Sequence, residues 1–246
     1  MRRFLAILCL LSLPALGAQP AKLACYSDTF PPYVMQDGDK VVGVDVDAVR
    51  EAAASIGVQL EIRLLPWKRL EAELSKGAAS TVQCAFSFSR TPERDAYLLF
   101  GQEPLHVTAY TLFVHAEHQA RLAAFPRGGS AIVGVRRGFK LPATLESARQ
   151  EGRAFIEEVD VEQSNFLKLA RLRLDFALSN LDVGRYTIRQ LKLTHIVPQS
   201  EPLSMLPTYL VFSRGHGLDQ LMPQLDQALG KLRQSGRYQA IYDHYM

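Results

Sequence analysis

What this sequence has little of narrows its identity first. Its 246 residues include three cysteines and one tryptophan. No Cys or His pair stands at metal-ligand spacing, so no metal site is expected. Long apolar runs are missing: the stretch at residues 4–13 has ten largely apolar residues, whereas a membrane-spanning helix takes about 20. The mature chain is therefore not expected to insert in a membrane. Charge of one sign is missing too, with 28 Lys and Arg against 25 Asp and Glu. That balance argues against a nucleic-acid partner, which would want a concentrated basic face. There are no repeats, no low-complexity stretches, and no nucleophile–base pair that would mark an enzyme.

The short apolar run carries information of its own. Arg2 and Arg3 precede it, and Pro14 and Ala15-Leu16-Gly17-Ala18 follow. This is the charged start, short apolar stretch and small-residue cleavage site of a signal peptide over residues 1–18. The mature protein is expected in the periplasm. Lys22 stands where a lipidation box before Cys25 would need an apolar residue, so Cys25 is not a lipid anchor. Cys9 leaves with the leader. Cys25 and Cys84 remain, in a compartment that permits disulfides. Both fall in predicted strands, and a Cys25–Cys84 bridge or two buried thiols would fit equally.

The remaining chain, about 228 residues, is enough for one large domain or two modest ones. Apolar runs at 22–27, 59–65 and 80–86 read as strands. Between the first two, Val49, Ala52, Ala53 and Ile56 recur at helical spacing before Gly57. Between the next two, Trp67, Leu70 and Leu74 do the same before Gly77. After Pro104 a second unit starts, with strands at 108–115, 132–137, 155–161 and 174–179 and helices near 141–151, 165–171 and 182–191. A strand at 208–214 follows, then a helix with an apolar stripe of Leu218, Leu221, Leu225, Leu229 and Leu232. The β-α-β order predicts an α/β fold with mostly parallel sheets flanked by helices. Two such units predict a two-lobed clamshell: lobe I from 19–109 plus 197–246, lobe II from 110–196, hinges near 108–111 and 195–197. Ligands bind beyond the carboxyl ends of parallel strands, which places a shared cleft between the lobes.

At one of those strand ends lies Ser87-Phe88-Ser89-Arg90-Thr91-Pro92-Glu93-Arg94. Ser87 and Ser89 alternate onto one face of the last strand residues, and Thr91 and Pro92 form a helix N-cap and first residue. Arg94 opposes the helix dipole there. Two readings are open: a solvated Arg after a turn, or a guanidinium that grips a carboxylate beside two hydroxyls and free N–H groups.

Four segments together resemble the family 3 solute-binding proteins of amino-acid ABC transporters. They are Phe30-Pro31-Pro32-Tyr33, Gly43-Val44-Asp45-Val46-Asp47, the octapeptide, and residues 225–242 with Gly236 and Tyr238-x-x-Ile241-Tyr242. The resemblance implies a type II periplasmic binding protein that captures a small amino acid or related carboxylate. It would be a monomer without a cofactor, and an ABC permease or a sensor would be its partner. It also implies that Arg94 holds the α-carboxylate with Ser87 and Ser89, and that Phe30 and Trp67 wall the ligand's side chain. The chain departs from the family in its second lobe. Gly138 is followed by Phe139 and Lys140, and the position of the usual ammonium-binding carboxylate is Asn180, with Asp182 two residues on. Lys140 could favour an anion or face solvent. The same scaffold also includes cyclohexadienyl dehydratases; in that enzymatic alternative the acid would be Asp28, Glu103 or His106. An orphan sensory domain is the third reading.

Overall fold

The expected alternation of strands and helices folds into one curled sheet covered on both faces. The structure is a computed structural model describing residues 21–246; the expected leader lies outside the described residues. The chain forms β1 (Ala21–Ser27), β2 (Met35–Asp37), β3 (Lys40–Val42), α1 (Val44–Ser55), β4 (Val58–Leu64), α2 (Trp67–Leu74) and β5 (Cys84–Ser89). It continues through α3 (Pro92–Asp95), β6 (Leu98–Phe100), β7 (His106–His115), α4 (Gln119–Ala124), β8 (Ala131–Arg136), α5 (Ala143–Gln150) and β9 (Ala154–Val159). The last third holds α6 (Gln163–Ala170), β10 (Phe176–Asn180), α7 (Leu181–Leu191), β11 (Ile196–Pro198), β12 (Ser204–Ser213), α8 (Met222–Gln234) and α9 (Arg237–Tyr245).

The sheet's main path is β4-β1-β5-β12-β7-β10-β8-β9. β1 pairs in parallel with β4 and β5, and β8 pairs in parallel with β9 and β10. These are the two expected parallel blocks. Between them lie β7 and β12, of ten residues each. At about 3.3 Å per residue each extends roughly 33 Å, enough to belong to both blocks. One end of β12 pairs antiparallel with β7 and the other with β5 and β6. These two strands make one sheet of what the sequence pattern suggested as separate ones.

Each lobe carries two apolar clusters, one per sheet face. In the first lobe, α1 and α8 bring Val49, Ala53, Leu225 and Leu229 over Leu23 and Phe86. On the other face α2 supplies Leu70 and Leu74 against Phe88, Leu98 and Val211. In the second lobe, Leu145 of α5 packs on Val133 and Phe176, and Phe166 and Leu169 of α6 pack on Phe113 and Ala177. The C-terminal stripe thus returns to the first lobe. Leu218 and Leu221 precede α8 but pack against the same cluster.

The strand expected at 80–86 begins only at Cys84. Ser80 Oγ donates to the Val82 carbonyl (2.9 Å) and accepts from the Val82 N–H (3.0 Å), so that segment is spent in a turn. Cys25 and Cys84 stand opposite each other in the β1–β5 register and form a disulfide, with Cα atoms 4.4 Å apart. Of the two states the sequence left open, the structure holds the bridge.

Candidate ligand cleft

Gly43 brings two of the sequence motifs together. Its φ of 132° suits glycine, and a Cβ there would come within 2.4 Å of the Tyr33 carbonyl oxygen. The start of α1 can therefore dock on the Pro32-Tyr33 backbone, with Val44 N–H donating to Pro32 and Asp45 N–H to Tyr33 (both 3.1 Å). Docking buries Asp45 completely. Its carboxylate accepts from Ser87 Oγ (2.6 Å) and faces His106 Nδ1 (2.9 Å). Thr208 Oγ1 also lies 3.1 Å from Nδ1, and Thr108 Oγ1 lies 3.2 Å from Nε2. The Tyr33 ring covers the imidazole at 3.7 Å between centroids.

Above this layer β5 departs from regular alternation. Ser87 has φ of 66°, and the β5–β12 register shifts between Tyr209 and Val211. A bulge of this kind re-aims side chains. It turns the Ser87 hydroxyl down to Asp45, whereas simple alternation would align it with that of Ser89. After the bulge Thr91 caps α3, accepting from Arg94 N–H at 3.4 Å, and Pro92 is its first residue.

Arg94 is 8% exposed. Its guanidinium carbon lies 5.3 Å from both the Trp67 and Phe88 ring centroids, close enough for cation–π attraction. Nη1 donates to the Ser89 carbonyl (2.8 Å). Nε (3.2 Å) and Nη2 (2.6 Å) both donate to Glu71 Oε1. Glu71 was not among the residues expected at the site; it lies one helical turn after Trp67 on α2, which puts both on one face.

Between the lobes is a cavity of about 150 Å³. A single water needs about 10–15 Å³, so a small organic molecule has room. Phe30, Trp67, Ser87, Ser89, Arg94 and Lys140 all line it, together with Asp28, Thr108, Tyr110, Arg136 and Phe139. Burial pushes the Tyr110 phenol up to about 12. The lobes touch across the cavity. Arg136, at the carboxyl end of β8, donates to Asp28 Oδ2 (2.6 Å) and the Thr29 carbonyl (2.9 Å). Phe139 packs edge-on against Phe30 and Tyr110, at 6.3 Å and 6.0 Å. Lys140 sits at the rim, its Nζ 3.9 Å from Glu93 Oε2 and its side chain 74% exposed.

Two expected residues stand elsewhere. Asn180 is the N-cap of α7, its Oδ1 accepting from the N–H groups of Asp182 (2.7 Å) and Val183 (3.2 Å). Asp182 Oδ2 accepts from the hydroxyls of Tyr33 (2.7 Å) and Tyr242 (3.2 Å). Neither lines the cavity. Burial and, secondarily, Asp182 raise the Tyr33 phenol far above its ordinary value and push that of Tyr242 up to about 12. The three acids considered for the dehydratase alternative are also engaged: Asp28 with Arg136, Glu103 with Arg233 (2.8 Å), and His106 beneath the floor. Glu162 was not expected. Its carboxyl accepts from Ser179 Oγ, and burial raises it above the usual range.

The architecture is that of a two-lobed type II periplasmic binding protein. The chain belongs to the bacterial extracellular solute-binding proteins, family 3, whose family model matches residues 23–246. No curated protein matches the sequence. Among solved structures, an ancestral arginine-binding protein bound to arginine is 19% identical with a TM-score of 0.77, over 93% of this chain and 99% of that one. A histidine kinase sensor domain similar to periplasmic binding proteins is 20% identical with a TM-score of 0.76, over 92% and 96% of the two chains. An ancestral amino acid-binding protein described as a precursor of cyclohexadienyl dehydratase is 19% identical with a TM-score of 0.72, over 92% and 95%.

Proposed function

We propose that this protein is a periplasmic receptor, exported by a leader over residues 1–18, that captures a small amino acid or related carboxylate for delivery to an ABC permease. Its lobes are 19–109 plus 197–246 and 110–196. It works as a monomer, without catalysis or a cofactor. The observation that carries this reading is Arg94: a buried guanidinium in the cavity wall, steadied by Trp67 and Phe88, with Ser89 and Thr91 lining the same cavity. A fork of N–H donors is well matched to a carboxylate. The contacts across the cavity fit a receptor that closes on its ligand, and family membership supports transport. The likeness to a sensor domain supports signalling as the second reading, with the same ligand chemistry and a different partner.

Thermal shift against amino acids, polyamines and small carboxylates tests the reading, because a ligand that binds only the folded state raises the melting temperature. At least one carboxylate is expected to raise it in the wild type and to lose that effect in Arg94→Ala. A shift that persists in the variant, or no shift from any carboxylate, would refute the site. Turnover of prephenate would overturn the non-catalytic assignment.

A further inference from the structure

A cleft that encloses an amino acid must meet a carboxylate and an ammonium, and a buried charge has to be paired. Among the residues that line this cavity Asp28 is the one acid; Glu71, Asp182, the Asn180 amide and Glu162, which accepts from Ser179, stand off it, and each is already engaged. Asp28 accepts from Thr29 N–H (2.7 Å), Trp67 N–H (3.0 Å) and Arg136 (2.6 Å). Those are three of a carboxylate's roughly four acceptor sites, and the guanidinium already matches its charge. Glu71 is turned to Arg94. Asp182 serves two tyrosine hydroxyls. The oxygen of the Asn180 amide is used in capping α7, and the atom left over is Nδ2, a buried donor without a partner among the described residues.

Donors show the opposite balance. Among the described residues, Arg94 places three of its five N–H groups and Arg136 two. The walls between them are aromatic: Phe30, Trp67, Tyr110 and Phe139. The cleft has spare donors and cations, a single lining acid that is already paired, and apolar sides.

We infer that the ligand is an organic anion without an α-ammonium group, a carboxylate on an apolar or aromatic body. This rests on the reading of Arg94 as the carboxylate grip. The test is isothermal titration of the mature protein with matched acids: L-phenylalanine against 3-phenylpropanoate, and L-glutamate against glutarate. In at least one pair the acid lacking the amino group should bind about tenfold or more tighter, the fold-change that one unpaired buried charge readily produces. That binding should be lost in Arg94→Ala, or in Arg94→Lys, which keeps the charge and loses the fork, should the alanine variant not fold. An amino acid that binds tighter than its partner, through Arg94, would overturn this inference and leave the carboxylate grip standing. If no probe binds, or binding ignores Arg94, the grip falls and the inference with it.

Discussion

Replacing Glu71 by Gln removes the charge that holds Arg94 while keeping the side chain's length. In the wild type, Nε and Nη2 of Arg94 both donate to Glu71 Oε1, at 3.2 Å and 2.6 Å. This is the edge of the guanidinium that a ligand carboxylate would use side-on. An incoming carboxylate therefore competes with an internal one. Hydrogen bonds to charged groups contribute about 1.5–3 kcal/mol, against about 0.5–1.5 kcal/mol for neutral pairs. The Glu71 side chain is 37% exposed, so solvent screening reduces the difference to about 1 kcal/mol. That corresponds to roughly a fivefold gain in affinity for an Arg94-dependent carboxylate. The unliganded variant should be less stable by about the same amount, or a melting point lower by about 2–4 °C for a domain of this size. Calorimetric titration of wild type and Glu71→Gln with 3-phenylpropanoate, alongside melting of the unliganded proteins, measures both. Unchanged or weaker binding in the variant would show that Glu71 orients Arg94 for the ligand and does not compete with it.

The Cys25–Cys84 bridge links residues 59 apart in sequence, and loop-closure entropy for such a link is about 4 kcal/mol. A Cys25→Ser, Cys84→Ser double variant should melt well below the oxidised wild type, and equal melting points would exclude a bridged native state. Glu162 contributes with the opposite sign to a salt-bridged acid, because burial holds its folded-state value above the ordinary 4.5. Its stabilising contribution is complete below pH 4.5 and is lost as pH rises through the elevated folded value. Glu162→Gln should flatten the decline in melting temperature across that window and be the more stable protein at neutral pH; an unaltered pH profile would refute the assignment.

Local rules carried the elements a long way. Thr91 and Pro92 start α3, Gly57 and Gly77 follow helices, and the C-terminal leucines pack on the first lobe as their spacing requires. Each depends on neighbours within a turn or two of the chain. The β2–β3 hairpin, the short β6 and the late start of β5 escaped that logic. Three-residue strands have too few positions to establish a period, and Ser80 reads as strand until its hydroxyl is seen closing a turn.

The cleft divides along the same line. Residue types by themselves pointed to a guanidinium beside hydroxyls, the family resemblance implied the aromatic walls, and Phe30, Trp67, Ser87, Ser89, Arg94 and Lys140 all line one cavity. They could not say which acid answers which base. Asp28 meets Arg136 across 108 residues, and Tyr33 meets Asp182 across 149. A bulge at Ser87 decides where its hydroxyl points, and a helix start decides that Asn180 caps α7 instead of facing the cavity. The sequence by itself determined the order of the longer elements, the two-lobed architecture and the chemistry available at the strand ends, because periodicity and capping are short-range. Only the tertiary structure decided how those charges pair, because pairing depends on distances set by packing between segments far apart in the chain.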